Sequence, residues 1–327
     1  MTEKAYMRPT IGVVLCTYNG ERYVRTQLES ILAQSRKPDM LLACDDASHD
    51  GTIGQLEAYA ELAPFHFRIV RNHENLGYLR NFEQAIRRCD ADIIVLSDQD
   101  DWWRPDKLEK IEALFLGDVQ AAAVFSDADI VNDNLKSLGF GVLDAQEVND
   151  AERVLAKSGR LFPVLLRHNI VCGATLAMRT SWRERIFPIP AGFVHDEWIG
   201  LVIAAHEALR FIPDPLIRYR QHGANQIGLL RWTPSQRLRR FMQSHRLDAE
   251  RLVTRMLELQ ERLSRTGAPS RAVDEVESKI EHFRRRLSLR KGLLRRPLAV
   301  VGEIMNGRYT RYSSGWRSAL RDLVAPM

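Results

Sequence analysis

The chain reads as an α/β protein, a mainly parallel sheet with helices on both faces, followed by a basic α-helical extension. Three observations carry that expectation. Short continuous apolar runs alternate with segments of helical apolar spacing through residues 11–125, and a β-α-β-α order builds parallel sheets covered on both sides. Four of those runs lead directly into polar clusters. Charge is also divided unevenly: residues 1–228 hold 25 Lys and Arg against 32 Asp and Glu, whereas residues 229–327 hold 22 against 10. An acidic body joined to a basic segment implies that the two parts meet different partners. The division expected is therefore 1–228 and 229–327.

Each element has its own signal. Ile11–Thr17, Met40–Cys44, Phe67–Val70, Asp92–Leu96 and Ala121–Phe125 are compact apolar runs, as expected of strands buried on both faces. Between them, residues 23–34, 53–62, 79–86 and 107–116 place apolar side chains at helical spacing. A less regular stretch, 127–220, contains one further strand-like run, Val171–Met178, and an apolar helix over 200–208 behind Val194-His195-Asp196-Glu197. From Trp232 the pattern turns helical. Leu238, Phe241, Met242, Ala249, Leu252, Val253, Met256, Leu259 and Leu263 share a face. Thr266-Gly267-Ala268-Pro269 interrupts it, and Val273, Val276, Ile280, Phe283 and Leu287 resume it. Two helices around a short breaker make an antiparallel hairpin.

Composition excludes several classes. Hydrophobic residues make up 45% and charged residues 27%, an ordinary globular balance rather than a disordered one. Cys16, Cys44, Cys89 and Cys172 form no C-x-x-C pair, which fits a reduced, cytosolic protein better than a zinc or disulfide scaffold. Met1–Thr10 has no apolar core, so no signal peptide is expected. No run approaches the ~18 apolar residues of a membrane span, so contact with a membrane is expected to be peripheral. Arg284–Arg286, Arg290-Lys291 and Arg295-Arg296, with Tyr309, Tyr312 and Trp316 nearby, suit an anionic membrane surface. No nucleic-acid-binding motif is present.

In open parallel sheets, ligands bind beyond the carboxyl ends of the strands. That edge receives Thr17-Tyr18-Asn19-Gly20, Asp45-Asp46-Ala47-Ser48, Asn72 with Asn75-Leu76-Gly77, and Asp98-Gln99-Asp100-Asp101. Three carboxylates within four residues repel one another unless a cation lies among them. Mg²⁺ or Mn²⁺ takes one or two carboxylates and fills its remaining positions with water and phosphate oxygens. A solvated acidic turn is the alternative. Asp46 can accept hydrogen bonds from a base or ribose, or form an Asx turn with Ser48 or Asp50 ahead of the helix near Thr52. Asp196 or Glu197 can serve as a general base or stabilise a helix N-terminus. His222 is either a surface residue or a member of a metal shell.

Together, IGVVLCTYNG (11–20), CDDASHDGT (44–52), Asn75-Leu76-Gly77 and LSDQDD (96–101) resemble family 2 glycosyltransferases over residues 10–225. The resemblance implies a GT-A fold, a Rossmann-like sheet that binds a nucleotide-sugar donor and inverts the anomeric centre. It implies that Thr17, Tyr18, Asn19, Asp46, Asn75 and Asp98 border the nucleotide and that Asp100, Asp98 and His222 hold Mg²⁺ or Mn²⁺. Asp196 would be the catalytic base, with His195 in place of the Glu that precedes it in the family's E-D motif. The Q-x-x-R-W motif of processive synthases is missing, which implies transfer of a single sugar. YRQHGAN (219–225) and GRYTRYSSGWR (307–317) resemble bacterial rhamnosyltransferases. They imply a dTDP-L-rhamnose donor, or another NDP-sugar such as a UDP-hexose, and a polyprenyl-linked or other glycan acceptor at the inner face of the cell membrane. A nucleotidyltransferase would need a Gly-rich loop after the first strand, which residues 17–20 do not supply. The other rival is a non-catalytic adaptor on a degenerate transferase domain, and the intact Asp98-x-Asp100 and Asp196 oppose it.

Overall fold

The structure is a computed structural model and describes residues 8–223, 246–289 and 296–324. It opens with β1 (Ile11–Thr17), α1 (Val24–Leu32), β2 (Met40–Asp45), α2 (Thr52–Leu62), β3 (His66–Arg71), α3 (Tyr78–Arg88) and β4 (Ile93–Ser97). Within this half β1 pairs in parallel with both β2 and β4, and β2 with β3. Successive strand residues go to opposite sides. Val14, Leu42, Ile94 and Leu96 pack with Phe82, Ala85 and Ile86 of α3. Val13, Leu15, Leu41 and Val95 pack with Val24, Leu28 and Ile31 of α1. Both sheet faces are covered, which is why these strands are apolar throughout rather than alternating. Gly12 lies where a Cβ would strike the Cys89 thiol and come within 2.9 Å of Ala91.

The second half comprises β5 (Trp102–Trp103), α4 (Lys107–Gly117), β6 (Ala123–Val131), β7 (Ser137–Gly141), α5 (Val142–Ala145), α6 (Asp150–Lys157), α7 (Phe162–Arg167), β8 (Ala177–Arg179), α8 (Arg183–Ile186), α9 (His195–Ala205) and β9 (Leu209–Arg220). The sheet runs β3-β2-β1-β4-β8-β6-β9-β5, with β7 added to β6. Here the expectation needs three corrections. β8 is antiparallel to both β4 and β6, so the parallel run is interrupted after β4 and resumes in the β6–β9 pair. The run Val171–Met178 is not one strand, because Gly173–Thr175 forms a 3₁₀ turn held by a bond from Thr175 Oγ1 to the Cys172 carbonyl (2.8 Å). The twelve-residue β9 was not expected, because Pro213 and Pro215 disguise it. A proline removes a ladder donor, and the β6–β9 pairing shifts register beside that point, between Ser126 and Asp127.

The extension contains α10 (Arg246–Arg265), α11 (Ser270–Ser288), α12 (Arg296–Met305), α13 (Arg308–Tyr312) and α14 (Trp316–Val324). The expected hairpin is present, and Gly267 turns it with a left-handed φ of 71°, which glycine adopts without penalty. Met256, Leu259, Val276 and Ile280 join the same core cluster as α3 and α9. Arg255 of α10 pairs with Glu197 of α9 at 2.5 Å, and Lys279 of α11 donates to the Leu166 carbonyl. The helices are thus packed onto the α/β body rather than hung from it. Tyr309 and Tyr312, expected at a membrane face, are buried. Leu238, Phe241, Met242, Ala224, Asn225, Arg290, Lys291, Arg295 and the 228/229 boundary lie outside the described residues.

Candidate active site

Thr17 and Asp45 are register partners at the ends of β1 and β2, and β4 ends beside them at Ser97. The three loops that leave this edge are tied to one another. Asp45 accepts from Thr17 Oγ1 (2.9 Å), Ser48 N (2.8 Å) and Ser48 Oγ (2.5 Å). Asn19, at φ 46°, donates its N–H to Ser48 Oγ and accepts from His49 N, both at 2.9 Å. Gln99 accepts from Tyr18 N (2.8 Å) and donates to Tyr18 O (3.0 Å). Thr17 and Asn19 therefore hold the rim together, while the Tyr18 ring is exposed. The turn ahead of α2 is made by Asp45 and by Asp50, which accepts from Thr52 N at 3.1 Å.

Asp46 is buried and takes a different part. Its carboxylate accepts from Asn72 Nδ2 (2.8 Å), Leu76 N (2.9 Å) and Gly77 N (2.9 Å). Asn75 contributes to the same turn by accepting from Gly77 N at 3.0 Å. Asp46 thus fixes the loop between β3 and α3. A carboxylate offers about four acceptor positions, so little capacity remains there for a base.

The acidic cluster lies across the rim. Asp98 is half-buried, and its carboxyl is pushed up to about 7, first by burial and then by the charges of Asp100 and Asp196. Asp101 is buried. It accepts from Arg220 N at 3.1 Å, and its Oδ2 has no partner among the described residues. Burial and the two neighbouring carboxylates raise this carboxyl too. His222 Nε2 lies 2.8 Å from Asp100 Oδ2, and the imidazole stacks on Tyr23 with centroids 4.4 Å apart. Beneath the cluster, the buried Lys107 ammonium is 3.6 Å from the Trp103 ring centroid and donates to the Ala174 carbonyl at 2.9 Å. Burial lowers it to about 7, against the pull of Asp101 and Asp98. Sequence reasoning missed Lys107, Arg220 and the Gln99–Tyr18 clamp. Only Lys107 carried a signal, a lysine in an otherwise apolar helical stripe.

Asp196 lies in the first turn of α9, whose N-cap is Val194. It accepts from Gly173 N (2.9 Å) and Glu197 N (2.6 Å). Burial nevertheless raises its carboxyl to about 7. Glu197, the other expected base, is turned to Arg255. His195 is 6% exposed and stacks on Phe82 at 4.4 Å. Neither ring nitrogen has a partner among the described residues, and burial lowers the imidazole to about 4, leaving it neutral. A Cβ on Gly173 would lie 2.6 Å from His195 Nε2, so that glycine opens the space the ring occupies.

These groups face one another. The charge of Asp196 reaches Asp98, and the charges of Asp98 and Asp46 both reach the Cys16 thiol at the end of β1. Asn75 is exposed at the outer margin. Among the described residues no three His, Cys, Asp or Glu side chains converge tightly enough to enclose a cation. A carboxylate and an imidazole in contact, with Asp98 lifted by burial and by its like-charged neighbours, nevertheless fit a divalent ion that draws its other ligands from phosphate and water.

The family model described as Glycosyl transferase family 2 matches residues 12–185. The chain belongs to glycosyl transferase family 2. Relatives of this family 2 chain include an uncharacterized glycosyltransferase of Haemophilus influenzae, 25% identical over 228 residues, 66% of each chain. The putative teichuronic acid biosynthesis glycosyltransferase TuaG of Bacillus subtilis is 31% identical over 103 residues, 32% of this chain and 40% of its own. The chain spans no more than 66% of the length of these relatives. A similar fold occurs in S. aureus TarS 1-349 in complex with UDP-GlcNAc, with a TM-score of 0.55 and 14% identity over 84% of this chain and 72% of that one. It occurs also in the mannosyltransferase PcManGT from Pyrobaculum calidifontis in complex with GDP-Man and Mn²⁺, with a TM-score of 0.50 and 20% identity over 96% and 79%. The fold is GT-A, as expected.

Proposed function

We propose that the protein is an inverting, metal-dependent glycosyltransferase that moves one sugar from an NDP-sugar to a lipid-linked glycan during cell-surface polysaccharide synthesis. The observation that carries this reading is the meeting of Asp98, Asp100 and Asp196 at one rim, within reach of one another's charge. Asp100, Asp98 and His222 would hold Mg²⁺ or Mn²⁺, which when bound offsets the charge of the departing nucleoside diphosphate. Tyr18 borders the nucleotide, and Thr17, Asn19, Asp46 and Asn75 hold the loops that shape its pocket. The Asp196 carboxylate takes the proton of the acceptor hydroxyl. The acceptor oxygen bonds to the anomeric carbon as the bond from that carbon to the diphosphate oxygen breaks, and this single displacement inverts the centre. A carboxyl near 7 is matched to that work at neutral pH. His195 offers the acceptor a neutral imidazole with free nitrogens.

The donor we infer is dTDP-L-rhamnose, on the resemblance of residues 219–225 and 307–317 to rhamnosyltransferases. A UDP- or GDP-hexose is the second reading, favoured by the ligands of TarS and PcManGT. The name of TuaG supports a place in polysaccharide synthesis. We infer an acceptor at the inner face of the cell membrane. The test is a screen of dTDP-L-rhamnose, UDP-GlcNAc and GDP-mannose for release of nucleoside diphosphate, with Mn²⁺ or with chelator. Release from one donor, lost with chelator and in Asp100→Asn, is expected. Equal turnover in Asp100→Asn would remove the metal from the reading, and no binding of any nucleotide would favour the adaptor.

A further inference from the structure

From the outer side of the C-terminal helices we infer a membrane-inserting surface formed by α12 and α14 together. The two helices pack against each other and leave their apolar residues outward. Leu298, Val301 and Met305 of α12 are exposed, at 77%, 50% and 83%, and so are Trp316, Leu320 and Val324 of α14. Among the described residues nothing covers them, and a soluble protein seldom leaves so many large apolar side chains exposed on two packed helices. The helices are ten and nine residues long, roughly 15 Å each against ~30 Å of bilayer hydrocarbon. They therefore lie in the interface rather than cross it. Among the described residues no helix is long and apolar enough to span a membrane.

Charge identifies what covers this face. Within residues 296–324 the acids are Glu303 and Asp322, and both are buried. Glu303 is taken by His282 (2.6 Å) and Arg285 (2.9 Å), and Asp322 by Arg286 (2.6 Å) and Tyr309 (2.7 Å). Among the described residues the ionic groups left at the edge of the apolar face are arginines, Arg317 exposed and Arg296 partly so. A second copy docked by a two-fold axis would set this face on itself, arginine against arginine. A bilayer accepts the apolar side chains into its acyl boundary and the arginines among its phosphates. The internal pairing also fixes the character of the attachment. Arg285, Arg286, Arg308 and Arg311 are engaged with acids of the chain itself, so insertion of apolar side chains, not the net charge of the extension, supplies the grip.

The inference takes its purpose from the lipid-linked acceptor proposed above, yet its test contains no sugar nucleotide and no glycan, so the two stand or fall separately. Sedimentation with phosphatidylcholine vesicles containing about a quarter phosphatidylglycerol should pull down the full chain. Leu298→Asp with Met305→Asp should weaken partitioning by roughly 10-fold or more. Both side chains are solvent-exposed, so thermal melting and nucleotide binding should stay unchanged. Raising salt to about 0.5 M should weaken wild-type binding by no more than roughly 3-fold, since screening acts on exposed charge and not on apolar insertion. Absence of wild-type binding, equal binding by the double variant, or complete release by salt would each overturn the inference. So would a wild-type dimer in light scattering that the double variant splits while vesicles remain unbound.

Discussion

The strand rim and the C-terminal helical layer both bury carboxylates, and they treat them in opposite ways. In the helical layer Asp322 meets Arg286 through two bonds (2.6 and 3.1 Å) and the Tyr309 hydroxyl, and Glu303 meets His282 and Arg285. At the rim, the charge of buried Lys107 reaches Asp98 and Asp101 while its hydrogen bond goes to the Ala174 carbonyl, and the charge of Asp196 reaches Asp98. All three carboxyls are lifted. Charge that holds a fold is matched inside the fold. Carboxyls lifted together, as at the rim, are a mark of a functional site rather than of a stabilising one. Among the described residues of the basic extension, Arg285, Arg286, Arg308 and Arg311 are thus paired with acids of the chain itself, although its surplus of charge along the chain reads as a sign of an outside partner.

The largest effect expected from this contrast is at Asp196. Asp196→Asn should lower turnover by roughly 10²–10⁴ while nucleotide affinity, read by calorimetry, is kept. Stability should not suffer at pH 8. A carboxyl raised to about 7 binds its proton more tightly in the folded than in the unfolded state. Its ionisation therefore subtracts stability as pH rises from about 4 to about 7, and an amide removes that cost. For the wild type, kcat/KM should climb with pH up to about 7 and level above it, because the base acts only when ionised. Parallel loss of nucleotide binding, turnover and melting temperature in Asp196→Asn would make the residue a helix stabiliser and erase the contrast on the rim side.

The helical layer gives the next largest effect. Arg286 and Asp322 are almost fully buried, and removing one partner of such a pair strands the other without compensation. Arg286→Met should cost about 3–5 kcal/mol in urea denaturation, with donor turnover below the unfolding transition unchanged. A cost near zero would mean that the pairing of this layer is incidental.

Much of this was legible in the sequence. The four parallel strands and three intervening helices of the first half follow from apolar runs buried on both faces, and β1 begins and ends as expected. The rim was legible because Asp98, Asp100 and Asp196 stand at element ends. What was hidden depends on contacts between distant segments. β9 is hidden by two prolines that a bulged pairing accommodates. Asp46 looked free to meet a base, yet its partners Leu76 and Gly77 are thirty residues away. Lys107 is readable only as the start of a helix, and its bond to the Ala174 carbonyl comes from a distant segment. Tyr309 and Tyr312 sat among arginines in sequence, and Arg308 and Arg311 point to acids of α11 while the rings turn inward.

The smallest effect expected tests whether the unmatched character of the rim extends to neutral groups. His195 keeps both ring nitrogens free among the described residues while 6% exposed, and a buried polar group without a partner is costly. Stacking on Phe82 holds the ring in place without satisfying those nitrogens, and the proposed reading gives them the acceptor hydroxyl as partner. His195→Ala should therefore raise the acceptor KM by roughly 10-fold, one hydrogen bond's worth. Slow donor hydrolysis, in which water replaces the acceptor, should remain as in the wild type. If hydrolysis and transfer fall together, the ring only props Asp196 across Gly173, and the unmatched groups of the rim reduce to its carboxylates.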